Sequence, residues 1–525
     1  MRRGYTEAVL RHRYSLPVLS GILLALVLYP FYLWPLAVLA LGPLFYFAGN
    51  AQLAKKDAFI GGYLTGLIGI GPTVFSTLFQ LRILAGSELF STLVRASSAP
   101  VLCLVACAFG LVAFMYSLMR SNSLTGNALL GASLYGALEL IFFKLFGGYY
   151  LSSLAYAVVP LTGARSLASV LGAISIASAI GFIASLAAEA VRVFNKKRIA
   201  PYAALCVCLV CGAMLTAWPV PVRLAPNGAT ASVALIQAPE RTAGSPLLGT
   251  YANGVFSNKP LESWLQAAGD ADLVVYPHSP FKGISYDSVP ASSRNPFATV
   301  PERAVGAWLQ RTVSASTSVL IWESTAIRGE LFDQYAVWQG GEESVYQKHW
   351  LYPLSDYAPS WAPWDLFGHT YAIQPGDASA RPIVKSTLFG GLICSELHQP
   401  AAARAEALRS PFIIAVGSDA MFPGDLMGNF SIAAARYRAA ENNIPIARGN
   451  AEGPSAFINA NGSIAAYLPY GKSGIVRGTL PLSKQESTPY SIWGAWPFYA
   501  FICIAFALAA AKRSGVRFPA YLARG

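Results

Sequence analysis

A thiol at Cys394 and an acid at Glu396 end the apolar run Phe389-Gly390-Gly391-Leu392-Ile393. Of the seven cysteines, Cys394 alone lies in a stretch polar enough to face water. Cys103, Cys107, Cys206, Cys208, Cys211 and Cys503 all fall inside long apolar runs. A lone thiol at a strand end has no disulfide partner and is either packing or a nucleophile. With a pKa of about 8.5 it is mostly protonated at neutral pH, so attack on a carbonyl needs a base or a nearby cation. Two other stretches carry such groups. Tyr346-Gln347-Lys348-His349 places a lysine, followed by Asp356 and by the aromatic residues Trp361, Trp364 and Phe367. Asp272-Leu273-Val274-Val275-Tyr276-Pro277-His278 is a strand ending on a titratable ring. A lysine can favour the thiolate and then hold the oxyanion that forms on carbonyl attack. Cys206, Cys208 and Cys211 have metal-like spacing, but with no His or acid nearby they read as soft packing residues, and no metal is expected.

The elements that must hold these groups fall into two kinds. The 525 residues are 54% hydrophobic and 12% charged, with a mean hydropathy of +0.45. Soluble domains are about 25% charged, so much of this chain is expected to lie in lipid. The net charge of +12 does not point to nucleic acid, because the basic residues stand at the ends of apolar segments rather than in one stripe. A bilayer crossing takes about 17–25 residues. Runs near 15–30, 32–49, 58–80, 99–119, 125–145, 166–191 and 199–218 qualify, and an eighth at 490–511 precedes Lys512-Arg513. Arg2, Arg3, Arg11, Arg13, Lys55, Lys56, Arg120, Arg192, Lys196, Lys197, Arg198, Lys512, Arg513 and Arg517 alternate with loops holding Arg82, Arg95, Lys144 and Arg165. The positive-inside rule then places both termini in the cytoplasm and the polar region outside it. Pro30 and the aromatics after it do not form a small-residue cleavage site, so the first helix is expected to stay as an anchor.

The expected organisation is a bundle over 1–220, an extracytoplasmic domain over 225–485, a helix over 490–511 and a cytoplasmic tail over 512–525. In the polar region strands are expected at 231–237, 271–276, 318–322, 388–394, 411–417, 444–449 and 455–459. Helices are expected near 260–268, 301–315, 400–409 and 429–442. Such alternation indicates an α/β sandwich or a doubly wound sheet.

Several motifs carry a resemblance: Lys348-His-Trp-Leu-Tyr-Pro353-Leu-Ser-Asp356-Tyr357-Ala-Pro359, Ile393-Cys394-Ser395-Glu396, Ser418-Asp419-Ala420, and Ala435-Arg436-Tyr-Arg438 through Arg448. The membrane part adds Asp57 to Gly66, Gly147-Gly-Tyr-Tyr150 and Trp493-Gly-Ala-Trp496-Pro. In order, spacing and membrane context the chain resembles the apolipoprotein N-acyltransferases, the membrane-bound branch of the nitrilase (carbon–nitrogen hydrolase) superfamily. The resemblance implies an α-helical transmembrane bundle of about eight helices beside an α/β, nitrilase-like αββα sandwich. It implies a bacterial inner-membrane enzyme of lipoprotein biosynthesis, acting without a cofactor as a monomer. A phospholipid would give an acyl chain to Cys394 as a thioester, and the N-terminal amine of a lipoprotein would accept it. Lys348 would stabilise thiolate and oxyanion, with Asp356 and Glu396 in the same site.

The chain departs from the family where a catalytic Glu is expected, since His278 stands there. Three alternatives follow: His278 serves as the base, Glu323 in Leu320-Ile-Trp322-Glu323 reaches the site from an adjacent strand, or the proton relay is lost. Ser395 replaces a Tyr and Met421 a Trp in the substrate pocket, while Trp361, Trp364 and Phe367 suit an interfacial lid. These departures leave two alternative functions open. One is a weak or silent nitrilase-like membrane paralogue, such as those associated with conjugal transfer. The other is a membrane-anchored amidase or carbon–nitrogen hydrolase.

Overall fold

The structure is a computed structural model that describes residues 14–28, 31–79, 92, 95–194, 228–238, 250–252, 255–277, 284–285, 300–327, 330–353, 356–357, 373–377, 379–419, 422 and 424–513. The chain divides into two compact units, one drawn from Met1–Gln80, Val94–Val220 and Trp493–Gly525, the other from Leu81–Leu93 and Pro221–Ile492.

The first unit is helical. Four of its described helices are long and apolar enough to cross a membrane: Lys55–Leu78, Ser98–Met119, Leu124–Leu145 and Ser175–Val193. Three shorter apolar stretches, Ser15–Val27, Trp34–Ala48 and Trp496–Leu508, accompany them. Small residues let these helices approach closely where lipid gives no hydrophobic drive to do so. A β-carbon at Gly62 would run into the Phe109 carbonyl and Ala113, and one at Gly66 into Ala106 and Phe109. The run at 166–191, expected as one crossing, is two helices, Thr162–Leu171 and Ser175–Phe194. Gly172 separates them at φ +84°, a backbone conformation that ends a right-handed helix. The run at 32–49 is likewise broken, into the 3-10 turn Trp34–Leu36 and the helices Ala37–Ala40 and Gly42–Ala48. Proline at the start of the first and last of these pieces supplies no amide to continue a preceding helix. The expected crossing at 199–218 lies outside the described residues.

The second unit is a two-sheet sandwich. Strands are numbered β1 Thr230–Gln237, β2 Leu273–Tyr276, β3 Ser318–Ile327, β4 Glu330–Gln339, β5 Glu342–Gln347, β6 Gly390–Ile393, β7 Ile413–Gly417, β8 Ile446–Asn450, β9 Ser455–Ile458, β10 Ile464–Leu468 and β11 Gly474–Pro481. The first sheet runs β11-β1-β2-β3, with β4 pairing β3 and β5 pairing β4; β1, β2 and β3 are parallel. The second runs β6-β7-β8-β9-β10, parallel through β8 and antiparallel after it.

Strand parity separates two cores. Ala234, Ile236, Val274, Tyr276, Val319, Ile321, Ala336 and Trp338 pack against Leu261, Leu265, Val305, Trp308 and Leu309 of helices Lys259–Ala268 and Glu302–Thr312. Their alternate neighbours Val233, Leu235, Leu273, Val275, Leu320, Tyr335 and Val337 meet Ile393, Ile414, Val416, Ala447 and Phe457 of the facing sheet. Helices Pro400–Ala407 and Leu426–Asn442 pack on the second sheet. The arrangement is αββα.

Gly391 marks how tightly the sheets approach. A β-carbon there would collide with the Tyr335 hydroxyl and the Tyr346 ring. Gly391→Ala is therefore expected to destabilise the domain by about 1–3 kcal/mol through overpacking, read as a lower thermal midpoint than wild type. An unchanged midpoint would mean the sheets part freely.

Candidate active site

Cys394 follows β6 directly and opens the 3-10 turn Cys394–His398. Its φ of +51° is a left-handed conformation uncommon for a residue with a β-carbon. The half-buried side chain packs against the between-sheet core, as Trp322 also does. A thiol leaving a strand through such a turn is aimed away from the strand axis, the geometry that exposes a nucleophile at a sheet end.

Lys348 continues β5 and is 1% exposed. Its amide donates to the Asp333 carbonyl at 2.8 Å, and its own carbonyl accepts from the Gly376 amide at 2.9 Å, so the backbone is pinned on both sides. The ammonium Nζ lies 2.9 Å from Asp356 Oδ1, 2.8 Å from Asp356 Oδ2 and 3.7 Å from Asp333 Oδ2. Asp356 is itself fixed by the Tyr352 amide, which donates to Oδ2 at 2.7 Å. Burial pulls the lysine down, but the charges of Asp356, Cys394 and Asp333 outweigh it and hold the ammonium above the usual lysine range.

Glu396 ties the lysine loop to the cysteine turn. Its Oε1 accepts the amides of His349 and Trp350, both at 2.9 Å. Its Oε2 accepts the Ile393 amide at 2.8 Å and the Tyr346 hydroxyl at 3.0 Å. Burial raises its pKa against the pull of these donors. Glu396→Ala strands three backbone amides at about 1–3 kcal/mol each, so a loss of about 3 kcal/mol or more is expected. Glu396→Gln, which keeps an acceptor oxygen, should melt between that variant and wild type. Equal melting of Glu396→Ala and wild type would remove Glu396 as the strut.

The electrostatics at the thiol are unfavourable to ionisation. Burial pushes Cys394 up; Lys348 lowers it; Asp356, Asp333 and Asp419 raise it, leaving it at about 11. The thiol is therefore protonated at neutral pH and needs an acceptor for its proton. Asp419, just beyond β7, accepts from Arg448 Nη2 at 3.1 Å and Asn450 Nδ2 at 2.9 Å. Asn450 Oδ1 in turn accepts the Gly453 amide at 2.7 Å.

Cys394, Lys348, Asp356 and Glu396 thus come together. Ser395 is buried beside them. Glu323 is 1% exposed and lies on the opposite face of β3 from Trp322, because successive strand residues alternate. Its Oε1 accepts from Thr325 Oγ1 at 3.0 Å and Gln334 Nε2 at 2.8 Å, on the helix-covered side of the sheet. His278, Trp361, Trp364, Phe367 and Met421 lie outside the described residues. One site residue does not stand out in the sequence: Asp333 on β4, whose Oδ1 accepts Trp322 Nε1 at 2.6 Å and whose Oδ2 faces Lys348. Its register is the signal, since Tyr335 and Val337, at two-residue steps from it, face the second sheet. Among the described residues, no cluster of three His, Cys, Asp or Glu side chains is arranged to hold a metal ion.

Residues 20–187 match the apolipoprotein N-acyltransferase N-terminal domain, and residues 326–490 match the carbon–nitrogen hydrolase family. The apolipoprotein N-acyltransferase of Pseudomonas aeruginosa strain UCBPP-PA14 is 25% identical over 499 residues, covering 92% of this chain and 92% of its own. The protein of the same name from Azotobacter vinelandii strain DJ is 26% identical over 532 residues, covering 96% and 95%. A solved CN-hydrolase superfamily protein from Xanthomonas campestris aligns over 52% of this chain and 97% of its own, at 15% identity and a TM-score of 0.33.

Proposed function

Because the chain belongs to the apolipoprotein N-acyltransferase family, as a divergent member of the membrane-bound nitrilase branch, we propose that it moves a fatty acyl chain from a phospholipid, through a thioester on Cys394, to the N-terminal amine of a lipoprotein. The protein works as a monomer in a bacterial inner membrane, with both termini cytoplasmic and the α/β domain on the periplasmic side. The observation that carries the reading is the buried Lys348 ammonium, held by Asp356 and electrostatically coupled to a thiol on a strained turn.

The chemistry follows from those charges. The thiolate attacks the ester carbonyl, the carbonyl electron pair moves to oxygen, and Lys348 stabilises that developing negative charge in a site where water does not screen it. Collapse breaks the bond to the lipid glycerol and leaves a thioester, reactive enough for attack by an amine. Asp356 keeps the lysine charged and in place, and Glu396 holds its loop against the cysteine turn. The aromatic residues Trp361, Trp364 and Phe367 contact lipid at the interface, and Ser395 and Met421 shape the acyl pocket.

Intact-mass measurement of the full chain in detergent, after incubation with phospholipid, tests this reading. One added acyl chain, released by hydroxylamine, is the expected result. Folded protein that gains no mass would sink the mechanism and favour the silent-paralogue reading. Release of free fatty acid or of ammonia from amides, with no transfer to an N-terminal cysteinyl lipopeptide, would favour a hydrolase.

A further inference from the structure

Four carboxylates surround the Cys394–Lys348 pair among the described residues, and three are each held by two or more donor groups. Asp356 takes Lys348 on both oxygens and the Tyr352 amide as well. Glu396 takes four donors. Asp419 takes Arg448 and Asn450. Asp333 differs. Trp322 fixes its Oδ1, whereas Oδ2 faces the Lys348 ammonium at 3.7 Å, just beyond hydrogen-bond length. A shift of the ammonium by about half an ångström closes that gap.

We propose that Asp333 accepts the proton Cys394 loses, relayed through the ammonium of Lys348, and later returns it to the leaving group. The inference rests on the acyl-transfer reading for its substrate, and for its proton path on the 3.7 Å approach of Asp333 to Lys348 together with the electrostatic coupling of Lys348 to Cys394. As the acylation step begins, a Lys348 N–H bond breaks and an Asp333 O–H bond forms. The Cys394 S–H bond breaks as a new Lys348 N–H bond forms. The result is a thiolate, an intact ammonium and a carboxylic acid. The thiolate pair then makes the C–S bond. On collapse the C–O bond breaks, the alkoxide takes a proton from Lys348, and Lys348 recovers one from Asp333. Asp333 touches no reacting atom, so its role is that of a positioning residue for the proton.

The charged and titratable groups facing Asp333 are Lys348, Asp356, Glu396 and the Cys394 thiol, with the Trp322 indole as a neutral donor. Burial raises its carboxyl, Lys348 opposes, Asp356 adds, and the balance stands at about 6. It is ionised at pH 7 yet far more basic than an exposed Asp, as a working acceptor requires.

The full chain in detergent, as wild type, Asp333→Asn, Asp333→Glu and His278→Ala, decides the question. The first readout is the single-turnover nitrophenolate burst with p-nitrophenyl acetate between pH 5 and 10. The second is iodoacetamide alkylation mapped to Cys394 at pH 8. The third is the acyl adduct from phospholipid. Asp333→Asn should slow the burst about 100-fold at pH 7 and abolish the wild-type midpoint near 6. Its Cys394 should alkylate at least as fast as wild type, because removing a negative charge favours the thiolate. Asp333→Glu should recover part of the burst. Burst and alkylation falling together in both Asp333 variants would reduce the residue to a structural role and overturn the proposal. Both rising together would make Asp333 a mere charge and overturn it equally. Loss on His278→Ala without loss on Asp333→Asn would also overturn it. A wild-type burst with these contrasts but without a phospholipid adduct supports the relay and sinks the phospholipid donor instead.

Discussion

Cys394→Ala leaves no acyl adduct on the chain and lowers acyl transfer by about 10⁴-fold or more, the scale on which loss of a covalent nucleophile is felt. The same substitution separates chemistry from strain. Cys394 holds φ at +51°, which costs a residue with a β-carbon about 1–3 kcal/mol. Alanine keeps that strain and glycine relieves it, while glycine's larger unfolded-state entropy offsets about 0.5–1 kcal/mol of the gain. Cys394→Gly is thus expected to be as inactive as Cys394→Ala yet to melt higher, by about 2–4 °C per kcal/mol relieved in a domain of this size. Residual adduct in either variant would place the acyl carrier elsewhere. Identical melting of the two would remove the strained turn from the account. Cys394→Ser keeps an oxygen nucleophile but one far harder to ionise, so it should acylate slowly and form a hydroxylamine-resistant ester.

A strand end makes Cys394 legible, because an apolar run that stops on a polar group is visible in one dimension, whereas Lys348 is legible through the motif from Lys348 to Pro359 that resembles the family. Alternation of strands and helices between residues 231 and 459 indicates an α/β sandwich or a doubly wound sheet, and the αββα order comes from the family resemblance. The hairpin of β4 and β5 is absent from the expected strands, although its turn carries the usual signal. Gly340 and Gly341 sit at φ +59° and +95°, the two-residue turn that suits twisted strands. Without that hairpin Asp333 stays hidden, since its meaning depends on register. Ser324 pairs with Asp333 across β3 and β4, while Glu323 pairs with Gln334. One step in cross-strand register therefore separates an acid that meets Lys348 from one turned toward the helices. Glu323 resembles the missing motif in its local sequence, and local sequence does not report which face a strand presents. The broken helix at Gly172 is illegible for a related reason. An apolar run measures length, whereas a positive φ at one glycine divides it.

Lys348→Met is expected to slow acylation by about 10³-fold, because a buried donor aimed at a developing oxyanion is worth about 2.7–4 kcal/mol. It also removes the charge that opposes burial at Cys394, so the thiol moves further up from about 11. The structural effect is equally large. Asp356 and Asp333 are 6% and 5% exposed, and without the ammonium they become uncompensated buried carboxylates, a change that costs about 3–5 kcal/mol. The pH dependence gives this a sign. Asp333 stands at about 6 in the folded protein against about 3.9 unfolded, so between those values the native state binds more protons. Stability contributed by this group therefore falls as pH rises through about 4 to 6, by roughly 3 kcal/mol at 1.36 kcal/mol per unit. Losing Lys348 raises the folded value further and widens the window upward. The deficit of Lys348→Met relative to wild type should then be greatest at pH 8 and shrink at pH 5, where the acids take up protons and no longer need a cation. Thermal midpoints in detergent at the two pH values measure it. A deficit independent of pH would mean that the lysine's aliphatic packing, rather than its charge, holds the site together. Lys348→Arg should not rescue either effect, since a planar guanidinium does not fit where a 1% exposed ammonium sits between two carboxylates.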